Sequence, residues 1–157
     1  MDSQQTEKTP TLEPVTLLNS TALLTLIQEF NGFEKITTPL SRIQPALEKL
    51  ILSPQLGRTW FIKQGIDTVG YAILTFGYDL EYGGRDAWIT DIYVRPVFRE
   101  QGLGSLVMPL IEKEAKNNGV STLHLVVRRE NQRARRVYEK SGFKENPRMA
   151  MIKILTG

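Results

Sequence analysis

The chain has no cysteine. That absence excludes a disulfide scaffold, a thiolate metal site and a cysteine nucleophile, and it fits a reducing compartment. Histidine occurs once, at His124, so a multi-histidine metal site is excluded too and no metal is expected. No apolar run approaches the ~20 residues of a membrane span. The N-terminal stretch MDSQQTEKTPTLEP lacks the apolar core of a signal peptide. The chain therefore reads as cytoplasmic, with residues 1–11 a disordered leader and residues 12–157 one domain. Charge is nearly balanced at +3, which favours anionic partners only mildly. Hydrophobic residues, in contrast, make up 41% of the 157 residues. A chain of that length buries roughly 70% of its unfolded surface and needs no metal or disulfide to hold a core.

Two helical patterns open the sequence. NSTALLTLIQEFNGF carries a capping candidate at Asn19 or Ser20 and apolar residues at Leu23, Leu24, Ile27 and Phe30, ending near Gly32. TPLSRIQPALEKLILS places Leu40, Ile43, Leu47, Leu50 and Ile51 on one side, with Pro45 set to kink or restart it. The period then changes. RTWFIKQG, TVGYAILTFGYDL and RDAWITDIYVRP are rich in β-branched and aromatic residues and bounded by turn residues, so they predict three strands in an antiparallel meander.

GLGSLVMPLIEKEAKNNG predicts a helix with a stripe of Leu103, Leu106, Val107, Leu110 and Ile111, closed by Gly119 and bent by Pro109. STLHLVVRR reads as a strand, NQRARRVYEKSG as a short helix and RMAMIKIL as a final strand. A short first strand falls near residues 13–17. The order β-α-α-β-β-β-α-β-α-β predicts an α/β (α+β) domain, its mixed, largely antiparallel sheet flanked by helices. The strand before Val94 and the strand at residues 123–127 should be parallel neighbours.

Chemistry concentrates where the third meander strand meets the next helix, in VRPVFREQGLGS. Amide groups at a helix start lack internal partners and sit at the positive end of the macrodipole. Glycines admit a ligand to that backbone, and Arg99 adds a cation. A pyrophosphate suits this corner; so does a plain capped turn. The stretch is not a Walker loop, because no Gly-Lys-Ser/Thr follows, and it lacks the third glycine of a dinucleotide fingerprint.

A second stretch, NQRARRVYEKSGFKE, narrows the choice. Val94-Arg95-Pro96 followed by Arg99-Glu100-Gln101-Gly102-Leu103-Gly104, and then Asn131, Ala134, Tyr138, Gly142 and Phe143, resemble in order and separation the two motifs of the GNAT superfamily of N-acetyltransferases. Within it the LEYGGRDAWITDIYV stretch looks like a bacterial subgroup of unassigned amine substrate. The resemblance covers about residues 60–155. It implies a GNAT-type fold and acetyl-CoA as co-substrate. Amides of Arg99, Glu100, Gln101, Gly102, Leu103, Gly104 and Ser105 would hold the pyrophosphate. The backbone of Ile92, Tyr93 and Val94 would bond the pantetheine arm and polarise the thioester, with Asn131 and Ala134 completing the arm's site and Arg133 set to meet the 3′-phosphate. Tyr138 would protonate the leaving thiolate, a role open to a phenol that is neutral at pH 7.

The incoming amine must lose a proton, and Asp91, sharing a strand face with Tyr93, is the candidate base. Asp79, Glu81, Tyr82 and Asp86, around the hairpin, would make an acidic mouth for a cationic small-molecule or peptide amine. His124 lies in a strand with no evident triad partner and reads as structural. Two rivals remain: a non-catalytic acyl-CoA-binding module of the same fold, and a nucleic-acid-binding domain using Arg128, Arg129, Arg133, Arg135 and Arg136. The ordered motif pair argues against nucleic acid. A homodimer through the final strand fits the pattern.

Overall fold

The computed structural model describes residues 9–156. Its strands are β1 (Pro10–Pro14), β2 (Gly57–Gln64), β3 (Asp67–Asp79), β4 (Gly84–Val94) and β5 (Thr122–His124); its helices are α1 (Ser20–Glu34), α2 (Leu40–Leu52), α3 (Leu103–Asn117) and α4 (Gln132–Lys140). The five strands form one mixed sheet. The chain divides into two compact units, one ending at Val126 and the other beginning at Val127.

In the first unit the sheet order is β1-β2-β3-β4-β5. The meander is antiparallel, as the short connections require, and β4 and β5 are parallel. Phe61, Tyr71, Ile73 and Tyr93 share one sheet face and bury against Leu23 and Ile27 of α1. The opposite face carries Ile62, Leu74 and Ile89, which leaves α3 to cover it with Leu103, Val107, Met108 and Ile111. That buried stripe takes Met108 in place of Leu106, which is 49% exposed.

Several expectations change. The first strand forms at Pro10–Pro14, not at 13–17, because Asn19 Oδ1 accepts from Thr16 N at 2.8 Å and turns the chain into a 3₁₀ turn at Leu17–Asn19. Pro10 and Thr11 therefore belong to the sheet, and Pro10 is fully buried; the remainder of the expected leader, residues 1–8, lies outside the described residues. Helix α1 continues past Gly32 and stops where Lys35 turns left-handed, at φ 57°. Pro45 and Pro109 break neither helix. Both lie on exposed positions, where water satisfies the carbonyl each leaves without a donor.

Gly70 is required by close approach. A Cβ there would lie 1.9 Å from the Tyr93 carbonyl oxygen, which β4 cannot move without leaving β3. Gly70→Ala is expected to cost about 2–4 kcal/mol of stability, read as a lowered denaturation midpoint. An unchanged midpoint would mean that the two strands separate there at little cost.

The second unit is sparser. Asn131 caps α4 by accepting from Ala134 N at 3.1 Å, and Gly142, at φ 93°, ends it. The expected final strand is not formed: residues 147–156 carry no regular structure.

Candidate active site

The sheet opens in the middle of β4. That strand pairs with β3 along its whole length but with β5 only at Asp86, Ala87 and Trp88. From Ile89 to Val94 its outer edge has no strand partner among the described residues. Expected strand residues beyond His124 do not extend the pairing; β5 is three residues long. Arg95 N donates to Val69 O, so Tyr93, two residues earlier, also turns its backbone to β3. The alternation aims the backbone of Ile92 and Val94 at the open edge. Tyr93, expected to serve the arm with its backbone, instead faces β3, and its ring packs on Phe30 and Tyr71.

The open edge leads to the glycine corner. After a 3₁₀ turn at Pro96–Phe98 the backbone turns left-handed at Glu100 (φ 68°) and again at Gly102 (φ 72°). Such turns direct successive N–H groups into a concavity. α3 begins at Gly102 with no side-chain cap, and a Cβ on Gly102 would meet nothing within 4 Å. Gln101, Gly102 and Ser105 are exposed and Leu103 is buried, so the corner offers backbone while its leucine anchors the helix. Arg99, expected to add a cation to the corner, makes contacts of its own. Its Nε donates to Val94 O at 2.7 Å, and its guanidinium lies over Phe33 and Tyr93. Glu29 of α1 clamps the same loop through two contacts to Arg95, at 2.9 and 3.1 Å. The Arg95 guanidinium holds the Glu29 carboxyl below the usual range.

Asp91 sits on β4 inside the opening. Thr90 is an extra residue in the β3–β4 register, since Ile73 pairs with Asp91 and Leu74 with Ile89. This bulge sets Asp91 on the face of Tyr71, Ile73 and Tyr93. The half-buried carboxyl accepts from the Tyr71 hydroxyl at 2.7 Å. Burial raises the Asp91 pKa, and the Tyr71 hydrogen bond offsets part of that rise. Tyr71, wholly buried, is itself pushed far upward by burial and by Asp91, so it stays a neutral donor. Asp91's folded pKa is above its unfolded value, so stability falls as pH rises between the two and stays lower above both. Asp91→Asn should flatten that part of the pH–stability curve, measured by denaturation across the weakly acidic range.

The acidic mouth is smaller than expected. Asp79 Oδ1 accepts from Glu81 N at 2.9 Å and caps a 3₁₀ turn at Leu80–Tyr82; Glu81 is exposed. Asp86 is withdrawn, being only 5% exposed. Its Oδ2 lies 3.0 Å from His124 Nε2, although the approach lacks hydrogen-bond alignment. His124 stacks on Trp88 at 4.8 Å and meets the Tyr82 ring edge-on at 5.1 Å. His124 thus has an acidic partner that its sequence context did not reveal. The pair sits where β4 and β5 part, because Trp88 and His124 are the last residues in register.

In the second unit Ala134 and Tyr138 are one helical turn apart and both half-buried. Tyr138 meets Phe143 edge-on at 6.1 Å, and its carbonyl accepts from Phe143 N. The Tyr-x-x-x-Gly-Phe spacing is thus a helix terminator with a ring contact. Asn131, expected to bond pantetheine amides, uses Oδ1 on the cap, which leaves its amide NH₂ for another partner. Arg133 is exposed on the first turn of α4, whereas Arg135 is drawn to Glu139 and Glu145.

The acetyltransferase (GNAT) family profile matches residues 22–143. The chain belongs to that family and is an acetyltransferase. It is 31% identical over 133 residues to a thialysine N-epsilon-acetyltransferase of Bos taurus, covering 76% of this chain and 75% of that one. Matches to proteins of the same description from pig and mouse span 48% and 44% of their lengths. Among solved structures, an integron cassette protein from a salt-marsh metagenome superposes with a TM-score of 0.83 at 28% identity, over 100% of this chain and 97% of that one. A predicted acetyltransferase of Clostridium acetobutylicum, solved with acetyl-CoA, shares the fold with a TM-score of 0.76 at 18% identity, over 93% and 97% of the chains. No helix among the described residues is long and apolar enough to cross a membrane.

Two groups escaped the sequence reading. Tyr71 reaches Asp91 only through the β3–β4 register, and a bulge shifts that register by one. Asp86 and His124 are 38 positions apart and meet only because β5 returns parallel to β4. No local spacing signals either contact.

Proposed function

We propose that this protein transfers acetyl from acetyl-CoA to a primary amine by direct attack, and that the opened β4 edge leading into the uncapped start of α3 is its coenzyme site. Family membership supports the coenzyme; the open edge is the observation that carries the reading. The amide groups from Arg99 to Ser105 take the pyrophosphate. Ile92 and Val94 line the pantetheine arm with backbone, and Asn131 contributes its amide.

The amine lone pair attacks the thioester carbon, so a C–N bond forms and the C–S bond breaks. Asp91 takes the proton from the nitrogen, directly or through one water, and its raised pKa brings a carboxylate closer to the working range of a base. Tyr138 gives a proton to the departing thiolate. Most of the rate enhancement comes from positioning and from polarising the carbonyl. The acceptor is an amine on a short aliphatic arm. The kinship to a thialysine acetyltransferase supports that class, and so do the exposed Glu81 and the hairpin carboxylate of Asp79.

A thiol-release assay with acetyl-CoA across polyamines, lysine-like ε-amines, amino sugars and peptide N-termini tests this. The chain adds no thiol background, having no cysteine. Release with at least one amine is expected; coenzyme binding without release from any would leave an acyl-CoA-binding module. Tyr71→Phe tests the base. It removes the bond that lowers the Asp91 pKa, so the acid limb of the kcat/KM profile should move to higher pH. An unmoved limb would take the base role away from Asp91.

A further inference from the structure

The corner between the open edge and α3 has few buried side chains of its own to hold it. Pro96 and Val97 are exposed, Phe98 is half-buried, and the first fully buried side chain after Tyr93 is Leu103, already in the helix. Its shape nevertheless matters, because one coenzyme has to meet the end of β4 and the start of α3 together. A misplacement of about 1 Å between two such contacts costs on the order of 100-fold.

Two arginines fix the corner at its ends. Arg95 caps the start of the 3₁₀ turn at Pro96–Phe98, and Arg99 caps its end. Arg95 is gripped by Glu29 of α1: Nη2 donates to Oε1 at 2.9 Å and Nε to Oε2 at 3.1 Å. The Tyr93 hydroxyl donates to the same Oε2 at 3.3 Å. Arg99 Nε donates to Val94 O at 2.7 Å, the last carbonyl aimed at the open edge, and its guanidinium lies 4.8 Å from the Phe33 ring centre and 5.6 Å from that of Tyr93. Glu29 and Phe33 are four residues apart on α1, so one face of that helix meets both arginines. The end of α1 is the negative pole of its macrodipole and has no basic residue in its last turn, so β4 and the corner supply the cations. Both partners of the ion pair are about one-third exposed, and such pairs add little to stability. What the pair fixes is direction: two N–H···O bonds set the angle at which the chain leaves β4.

We infer that α1 braces the coenzyme corner: Glu29, through Arg95, and Phe33, through Arg99, are positioning residues for acetyl-CoA binding. The inference rests on the coenzyme site proposed above. It also separates two roles for the Arg99 side chain. Glutamine carries its amide nitrogen on Cδ, where arginine carries Nε, so glutamine keeps the donor to Val94 O without the charge. Lysine keeps the charge but has carbon at that place. A side chain that holds the corner is better replaced by glutamine; one that neutralises phosphate is better replaced by lysine.

Calorimetric titration with acetyl-CoA and steady-state kinetics on the full chain test the brace. Glu29→Ala should weaken acetyl-CoA binding about tenfold and raise its KM similarly, with kcat at saturating coenzyme changed less than about twofold. Its circular dichroism and melting temperature should stay close to those of the native chain. Glu29→Arg combined with Arg95→Glu should recover most of the affinity that Arg95→Glu alone loses. Arg99→Lys should lose more affinity than Arg99→Gln. If Glu29→Ala does not fold, Glu29→Gln, of the same shape without the charge, takes its place with a loss in the same direction. Native affinity in the Glu29 variant, a charge swap that recovers nothing, or a larger loss in Arg99→Gln than in Arg99→Lys would each overturn the brace. With binding still abolished by Gly102→Glu, the coenzyme site itself would stand. Native affinity in Gly102→Glu would remove site and brace together.

Discussion

Gly102→Glu should abolish acetyl-CoA binding, weakening it by at least about 100-fold, or roughly 2.7 kcal/mol, in a titration calorimetry measurement. The fold itself should survive. A Cβ at this position meets nothing within 4 Å, so no neighbour must move. What the substitution adds is bulk and a negative charge at a helix start that has no side-chain cap. A phosphate there depends on the positive end of the macrodipole and on close approach to bare amides, and a carboxylate competes for both. Backbone strain from the left-handed φ of 72° is a separate cost, since any side chain is disfavoured there. Gly102→Asn isolates it, because asparagine tolerates this conformation and carries no charge. Asn should lose several-fold at most. Unchanged affinity in the Glu variant would remove the pyrophosphate from this corner and, with it, the coenzyme site proposed here.

Tyr138→Phe should lower kcat by about 100-fold, the usual scale of a lost general acid, with acetyl-CoA affinity unchanged. Phenylalanine keeps the ring that meets Phe143 at 6.1 Å, and the Tyr138 carbonyl that closes α4 is backbone. The helix terminator therefore stays intact, and the variant removes little besides the hydroxyl. The loss should also shrink with acyl donors whose leaving thiols are more acidic, because such thiolates depart without a proton. Undiminished turnover would mean that water or another group supplies it.

Much of the site was legible because its motifs are local. The run from Val94 to Ser105 reports a strand, a left-handed turn and a helix start within twelve residues. Asn131, Tyr138, Gly142 and Phe143 likewise describe one capped helix and its terminator. Where neighbours in space are neighbours in sequence, residue type constrains conformation directly: a glycine for positive φ, an asparagine for a cap. Misplaced boundaries have local causes as well. The prolines of α2 and α3 looked disruptive, yet both face solvent, where losing one backbone bond is tolerated.

By itself, the sequence determined every element type but the final strand, together with the antiparallel meander, the parallel return of β5 and the glycine corner, since each follows from periodicity, turn residues and connection length. Tertiary structure alone decided which side chains meet around the candidate site. The Thr90 bulge brings Asp91 onto Tyr71, the parallel return buries Asp86 against His124, and the Arg99 guanidinium packs over Phe33 of α1. It also left residues 149–156 without regular structure, where the sequence predicts a final strand. The reason is common to all four: a strand's pattern says which face a residue occupies, but its partner depends on register and on which edge is free, and those are settled only when distant segments meet.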